Sequence, residues 1–128
     1  MEKILIRTAL MLAGALLVLR CDDHTFPAAE YPRISTLPVT NVSSTGVTFH
    51  GDTVQDGKEE TMNRGFVWSK EEPLTLEISD RIDLGPGSGK FEAEIVSGLS
   101  PKTIYYVKAY AITKNYTVYG PSVTFTSN

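Results

Sequence analysis

The amino-acid sequence predicts an all-β domain over residues 34–128, a sandwich of two sheets with about seven short strands. Apolar and polar residues alternate in short runs, a pattern typical of strands with one buried face and one exposed face. Turn-forming residues separate these runs, and no window shows the 3.6-residue period of an amphipathic helix. The region is also close to the roughly 100 residues that such a sandwich needs.

The first twenty residues have the pattern of an export signal. Lys3 and Arg7 are followed by an uncharged apolar run over 8–19. This run has the length of a signal-peptide core and is shorter than a membrane-spanning helix. A buried core helix is the alternative, and it is disfavoured because the run is apolar on every side. We therefore predict a signal peptide over residues 1–20.

Cys21, the only cysteine, follows this run directly. The segment Val18-Leu19-Arg20-Cys21 resembles a bacterial lipobox, which implies that Cys21 carries lipid and anchors the chain in a membrane. Arg20 departs from the small residue that a lipobox prefers. A soluble exported protein with an incidental Cys21, or a short signal anchor, therefore remains open as an alternative.

Residues 21–33 are predicted to form the lipidated terminus and an extended tether. Pro27 and Pro32 interrupt this segment, and it shows little periodicity. Asp22-Asp23 resemble the signal that directs lipoproteins of Bacteroidota-like bacteria to the outer face of the outer membrane. The implied location is the cell envelope, as an outer-membrane lipoprotein exposed on the surface.

Seven strands and one shared core follow from the alternation. Phe91–Ile95 is the clearest case, because its apolar side chains share one face while Glu92 and Glu94 share the other. The predicted strands are 34–42, 46–54, 62–69, 76–83, 90–97, 103–113 and 117–127. The predicted core residues are Val42, Val47, Phe49, Phe66, Trp68, Phe91, Ala93, Ile95, Leu99, Tyr105, Val107, Ala109, Val123 and Phe125.

The segment Leu99-Ser100-Pro101-Lys102-Thr103-Ile104-Tyr105 resembles the corner before the sixth strand of a fibronectin type III domain. Residues 63–69, 87–93 and 119–125 also resemble the version of this module found in exported Bacteroidota proteins. The resemblance covers residues 34–128 and implies an immunoglobulin-like sandwich. It further implies that Tyr105 is the corner tyrosine, beside Leu99 and Pro101, with its hydroxyl bonded to backbone a few residues upstream.

Composition and motifs argue against several classes of function. The net charge of −3 provides no basic field for nucleic acid, and one cysteine cannot form a zinc cluster. Gly85–Lys90 lacks the spacing of a phosphate loop and precedes a strand, so we interpret it as a hairpin connection. His50 is predicted to be a surface residue, and His24 lies in the tether. We predict no enzyme activity, no cofactor and no metal site.

Five residues form the candidate binding surface. They are Tyr106, Lys108 and Tyr110, which are predicted to point away from the core, and Tyr116 and Tyr119, which follow at the next turn and strand. Tyrosine suits recognition of protein or glycan because its ring is apolar and its hydroxyl is polar. The alternative is that these tyrosines form cross-strand pairs that stabilise the sheet.

Thr53 is a candidate O-glycosylation site, because Asp52-Thr53-Val54 resembles the acceptor of exported Bacteroidota proteins. Taken together, these patterns favour a non-catalytic envelope lipoprotein that presents one sandwich domain for protein or glycan recognition. A passive spacer, or an assembly subunit of a surface complex, is the alternative. The oligomeric state is left open.

Replacing Tyr105 by Ala should destabilise the domain by about 3–5 kcal/mol, as truncation of a core aromatic side chain does. Chemical denaturation of the variant and the parent chain measures this difference. An unchanged unfolding midpoint would show that Tyr105 is not the corner tyrosine.

Overall fold

The computed structural model describes residues 29–128, which form eight β-strands. Within that range, no helix has the length and apolar character needed to cross a membrane. The strands are β1 (Arg33–Thr40), β2 (Val47–Gln55), β3 (Asn63–Ser69), β4 (Asp80–Gly85), β5 (Lys90–Ile95), β6 (Ile104–Ile112), β7 (Thr117–Tyr119) and β8 (Val123–Thr126).

Two antiparallel sheets face each other and confirm the predicted sandwich. One sheet has three strands in the order β1-β2-β5. The other has five strands in the order β4-β3-β6-β7, and β8 also pairs with β6. Strand β6 is therefore the centre of the five-stranded sheet, with β3 on one side and β7 followed by β8 on the other.

The last predicted strand is divided in two, which accounts for the eighth strand. Gly120 separates β7 from β8, and a Cβ atom there would lie 2.6 Å from Thr36 Oγ1. Thr36 Oγ1 in turn accepts the backbone N–H of Ala109 at 2.9 Å, and Gly120 N–H donates to the Ala109 carbonyl at 2.8 Å. The gap between β7 and β8 thus accommodates the Thr36 side chain from the opposite sheet. The alternation of apolar and polar residues does not predict this gap.

The core lies between the two sheets, and the predicted core residues all belong to it. Phe49 is at its centre, with ring centroids 5.5 Å from Phe66, 5.4 Å from Trp68 and 5.7 Å from Phe125. Ten of the predicted residues are buried, and Val42, Trp68, Leu99 and Val123 are partly buried against them. The prediction missed Ile34 and Ala111, which are also buried in this cluster.

Tyr105 occupies the corner that the sequence resemblance implies. Its hydroxyl oxygen accepts the backbone N–H of Ser100 at 2.6 Å, and its ring stacks on Phe125 with centroids 5.4 Å apart. Leu99 packs against the core beside it, whereas Pro101 lies exposed in the turn. The contact joins the loop before β6 to the end of the sandwich.

A second, smaller apolar cluster covers the outer face of the five-stranded sheet. The segment 70–79 between β3 and β4, called the strap below, lays Leu74 and Leu76 over that face. The backbone N–H of Leu76 donates to the Tyr119 hydroxyl at 3.2 Å. Because these residues form the strap, the fourth strand begins at Asp80 and not at residue 76. The cluster consists of Val67, Leu74 and Tyr110, with Leu76, Tyr106, Ile112 and Tyr119 packed against it.

The prediction that Tyr110 is an exposed binding residue is wrong. Its side chain is fully buried beneath the strap, and its hydroxyl donates to Asp83 and, at 3.3 Å, to the Ile82 carbonyl. Burial and the Asp83 carboxylate raise the pKa of Tyr110. The Tyr110 hydroxyl and Arg81 together lower the pKa of Asp83. Alternation placed Tyr110 on the correct face of β6, but it could not show that a connecting segment covers that face.

Replacing Tyr110 by Phe should destabilise the fold by about 1–3 kcal/mol, because a hydrogen bond to a charged carboxylate is lost. Urea denaturation measures the loss. Tyr106→Phe is the matched control, since the Tyr106 hydroxyl has no hydrogen bond among residues 29–128. Equal stabilities of the two variants would contradict a role for the Tyr110 hydroxyl in holding β4.

Candidate functional site

Three loops and the first described residues meet at one end of the sandwich, called the loop end below. The loops are 56–62, 86–89 and 113–116, and the fourth segment is 29–32. The Lys58 backbone N–H donates to the Ala29 carbonyl at 2.9 Å, and Ser88 Oγ donates to Asp56 at 2.5 Å. Loops carry much of the binding function in sandwich domains because a rigid scaffold positions them.

Residues 29–33 differ from the extended spacer that the sequence predicts. Pro32 is fully buried, and β1 already begins at Arg33. The Ala29 and Glu30 carbonyls accept backbone N–H groups of the neighbouring loop. Proline was interpreted as a tether residue, whereas here its ring packs into the end of the sandwich. The predicted signal peptide, Cys21, His24 and the rest of the tether lie outside the described residues.

Glu59 fastens the loop 113–116 to the loop 56–62. Its carboxylate accepts the Thr113 hydroxyl at 2.7 Å, the Asn115 backbone N–H at 3.0 Å and the Asn115 side-chain amide at 2.5 Å. These bonds to Thr113 and Asn115 lower the pKa of Glu59 below its ordinary value of 4.5. The ionised carboxylate therefore stabilises the turn that carries Tyr116.

An exposed pair of tyrosines stands at the loop end. The rings of Tyr31 and Tyr116 are tilted by 53° with centroids 5.1 Å apart. Tyr31 is 45% exposed and Tyr116 is 37% exposed, so both rings keep free surface. Tyr116 belongs to the predicted binding surface, whereas Tyr31 does not, because it falls in the segment interpreted as a tether.

The tyrosine pair borders an open cleft of about 480 Å³ between the start of β1 and strand β7. A volume of this order accommodates a small ligand. Among residues 29–128, Arg33 is the one charged residue that lines it. The lining consists of Tyr31, Pro32, Arg33, Ile34, Tyr116, Thr117, Val118 and Tyr119.

Backbone groups add polarity to this cleft. The Thr113 N–H donates to the Tyr116 carbonyl, and the Gly120 N–H donates to the Ala109 carbonyl. The backbone groups of every second residue from 116 to 120 therefore point towards β6. The intervening residues Thr117 and Tyr119 direct their backbone N–H and C=O groups away from β6, as alternate residues of an antiparallel strand do. The cleft thus combines aromatic surface with hydrogen-bonding groups and one cation, which suits binding of an amphipathic ligand.

The five residues of the candidate binding surface are separated in the structure. Tyr116 and Tyr119 line the cleft. Tyr106 and Tyr110 instead belong to the cluster under the strap, and Lys108 lies between them on β6, half-buried and paired with Val67 of β3. The alternative of cross-strand pairing describes Tyr110 and Tyr119, which lie opposite each other on β6 and β7. Tyr106 packs beneath the strap, and Tyr119 both touches that cluster and lines the cleft.

Thr53 is placed where a glycosylating enzyme cannot reach it, so the prediction of O-glycosylation there is wrong for the folded domain. Its side chain is only 8% exposed, in the middle of a paired stretch of β2. Its Oγ1 is buried and has no hydrogen-bond partner among residues 29–128. The three-residue pattern contains no information about which face of β2 carries Thr53.

The glycine-rich segment 85–89 forms a connection between two strands and no phosphate cradle. Gly85 and Gly89 have φ angles of 81° and 73°, which favour glycine. Arg64 fills the space beside Gly87, donates to the Ser88 carbonyl at 2.9 Å, and lies 5.0 Å from the centroid of the Phe91 ring. Between residues 29 and 128 no three histidine or acidic side chains are grouped as a metal site would need.

No protein-family model and no curated protein matches the chain. Solved structures resemble it at low identity. The sensor domain of the anti-sigma factor RsgI4 from Pseudobacteroides cellulosolvens is 15% identical, with a TM-score of 0.52, covering 75% of this chain and 93% of the other. A fibronectin type III domain of human collagen XX is 16% identical, with a TM-score of 0.54, covering 81% and 100%.

A myokine structure is 14% identical to the chain, with a TM-score of 0.55, covering 79% of this chain and all of the other. At these identities the likeness concerns the fold alone. Residues 29–128 therefore have a fibronectin type III-like fold, as the sequence resemblance at Leu99–Tyr105 implies.

The Glu59 contacts should weaken as the pH falls. The folded state lowers the pKa of Glu59, so the stabilisation is fully present above pH 4.5 and is lost as the pH falls through the lowered value. Hydrogen exchange or chemical shift of the Asn115 amide measures the release of the turn. Glu59→Gln should release it at neutral pH, whereas the exposed Glu60→Gln should not. An Asn115 amide that is equally protected in all three chains would contradict this role of Glu59.

Proposed function

We propose that the chain is a non-catalytic recognition module of the bacterial cell envelope. In this proposal it is an outer-membrane lipoprotein, anchored through Cys21, that presents one fibronectin type III-like domain to a protein or glycan ligand. The cleft beside the exposed pair Tyr31 and Tyr116 is the binding site. This pair is the observation that carries the proposal, because solvent-exposed aromatic rings beside polar backbone groups are what such ligands require.

The bracing of the loop end supports this assignment. A ligand binds more tightly to a surface that is already ordered, since less conformational entropy is lost. Glu59 holds the turn before Tyr116, and the Lys58 and Glu59 backbone hold residues 29 and 30 next to Tyr31. Both tyrosines are therefore attached to restrained backbone.

The anchor would place the cleft near the membrane. The segment between Cys21 and Ala29 spans at most about 28 Å when fully extended, at roughly 3.5 Å per residue. Ala29 lies at the loop end, so a lipidated Cys21 keeps Ala29 within that distance of the lipid and the cleft on the side of the domain nearest the anchor. The ligand is then a molecule of the envelope itself or one that reaches its surface.

A spacer or assembly subunit is the second candidate, and the burial of Tyr110 favours it. Tyr106 and Tyr110 hold the strap in place, so most of the aromatic surface of β6 serves stability. A spacer needs a stable domain and no open binding site. The tyrosine pair at the loop end is the feature that a spacer leaves unexplained.

Replacing Tyr116 by Ser should weaken ligand binding at least about tenfold and change stability little, because an exposed aromatic contact is removed. The purified chain is first tested on a glycan array and against separated envelope proteins. The affinity for any ligand found there is then compared between variants by calorimetry. Ile104→Ser is the matched control, since Ile104 is 58% exposed at the far end of β6.

Equal ligand affinities of the Tyr116→Ser and Ile104→Ser variants would show that the cleft is not the binding site. The absence of any ligand in both screens would favour the spacer. Fractionation of the envelope, with Cys21→Ser as the comparison, tests the anchor separately: loss of the protein from the membrane fraction is expected, and its retention there would contradict lipidation at Cys21.

A further inference from the structure

Three polar side chains, Thr40, His50 and Glu92, lie in a row on the outer face of the three-stranded sheet. Thr40 Oγ1 lies 2.6 Å from Nε2 of His50. On the other side of the ring, Nδ1 of His50 lies 3.4 Å from a carboxylate oxygen of Glu92. One residue comes from each strand, β1, β2 and β5. The packing of the sandwich core does not require this arrangement, because all three side chains face outward.

An irregularity in β1 brings Thr40 to this position. Leu37 pairs with His50 and Thr40 pairs with Thr48, so three steps along β1 match two steps along β2. This is a β-bulge, which changes the face to which the following side chains point. With regular pairing the side chain of Thr40 would point into the core. The bulge instead turns Val39 inward and Thr40 outward, beside the imidazole.

The Glu92 carboxylate favours one tautomer of the His50 ring. It lies 3.4 Å from Nδ1 and can only accept a proton, so a neutral ring with its proton on Nδ1 is favoured. Nε2 then has a free lone pair, which accepts the hydroxyl proton of Thr40. The side chain of His50 is 26% exposed and that of Glu92 is 70% exposed, so the group is open to a reagent from solution.

A hydroxyl, an imidazole base and an orienting carboxylate in this order are the parts of an activated nucleophile. We propose that Thr40 is a nucleophilic hydroxyl that accepts an acyl group from an activated carboxylic ester. Oγ1 of Thr40 attacks the ester carbonyl carbon, and its proton passes to Nε2 of His50. The bond from that carbon to the leaving oxygen breaks, and the leaving group takes the proton from His50. The products are acyl-Thr40 and the free alcohol or phenol.

Thr40 is exposed, so an ester can approach it from solution, and a shallow cleft of about 320 Å³ lies beside His50. Leu37 contributes apolar surface to this cleft. The site is separate from the tyrosine pair, so this inference does not depend on the proposed recognition function.

The test uses p-nitrophenyl acetate on the purified chain. We expect release of p-nitrophenol together with an acetyl group on Thr40, located by peptide mass spectrometry and removed by alkaline hydroxylamine as an oxygen ester. His50→Gln should slow the labelling about a hundredfold, the lower range for loss of a general base. Thr40→Val should abolish it, and Thr40→Ser should restore it.

Glu92 is a positioning residue, so Glu92→Gln should slow the labelling and Glu92→Asp should restore part of the rate at unchanged melting temperature. Thr48→Val is the matched control, because Thr48 lies on the same face, paired with Thr40. Acetylation of Thr48 or Lys90 in place of Thr40 would overturn the proposal. So would p-nitrophenol release that needs His50 but leaves no adduct on Thr40, since the imidazole would then be the nucleophile.

Discussion

The burial of strand β6 on both faces is the constraint on which the rest of the structure depends. Its inward residues Tyr105, Val107, Ala109 and Ala111 meet the three-stranded sheet, and its outward residues Tyr106 and Tyr110 meet the strap. A strand covered on both sides must satisfy every backbone group within the protein. The backbone of β6 pairs with β3 along one edge and with β7 and β8 along the other. Between β7 and β8, the Ala109 N–H donates to Thr36 Oγ1. The molecule is thus a sandwich with an extra partial layer.

The alternation of apolar and polar residues in the sequence predicts the two-sheet sandwich and its core. All the core residues predicted from the sequence lie in the core, although Ile34 and Ala111 were missed, and the segment before Tyr105 indicated both the fold and the corner contact. The larger errors concern contacts between residues distant in sequence. The strap covers Tyr110 through Leu74 and Leu76, and the gap at Gly120 admits Thr36 from the other sheet. Neither contact alters the alternation of apolar and polar residues in the strands concerned, so the local sequence does not predict either one.

The candidate sites show the same division. Tyr116 was recognisable as an exposed turn residue, but its partner Tyr31 is 85 positions away in the chain and becomes its neighbour only because residues 29–32 pack against the loop end. His50 was correctly placed on a surface, while the approach of Thr40 depends on a bulge that the pairing register alone reveals. Both sites therefore arise where segments remote in sequence converge, and a residue-by-residue inspection identifies at most one member of each group.

Residues 127 and 128 are joined to the sandwich by hydrogen bonds, as residues 29 and 30 are. Ser127 N–H donates to the Thr103 carbonyl at 2.9 Å, Ser127 Oγ accepts the Thr103 N–H at 2.9 Å, and the Asn128 amide donates to the Val42 carbonyl. These partners lie opposite the loop end. A fluorophore or fusion protein attached after Asn128 would therefore project away from the tyrosine cleft, and it would report on binding there without competing for the same space.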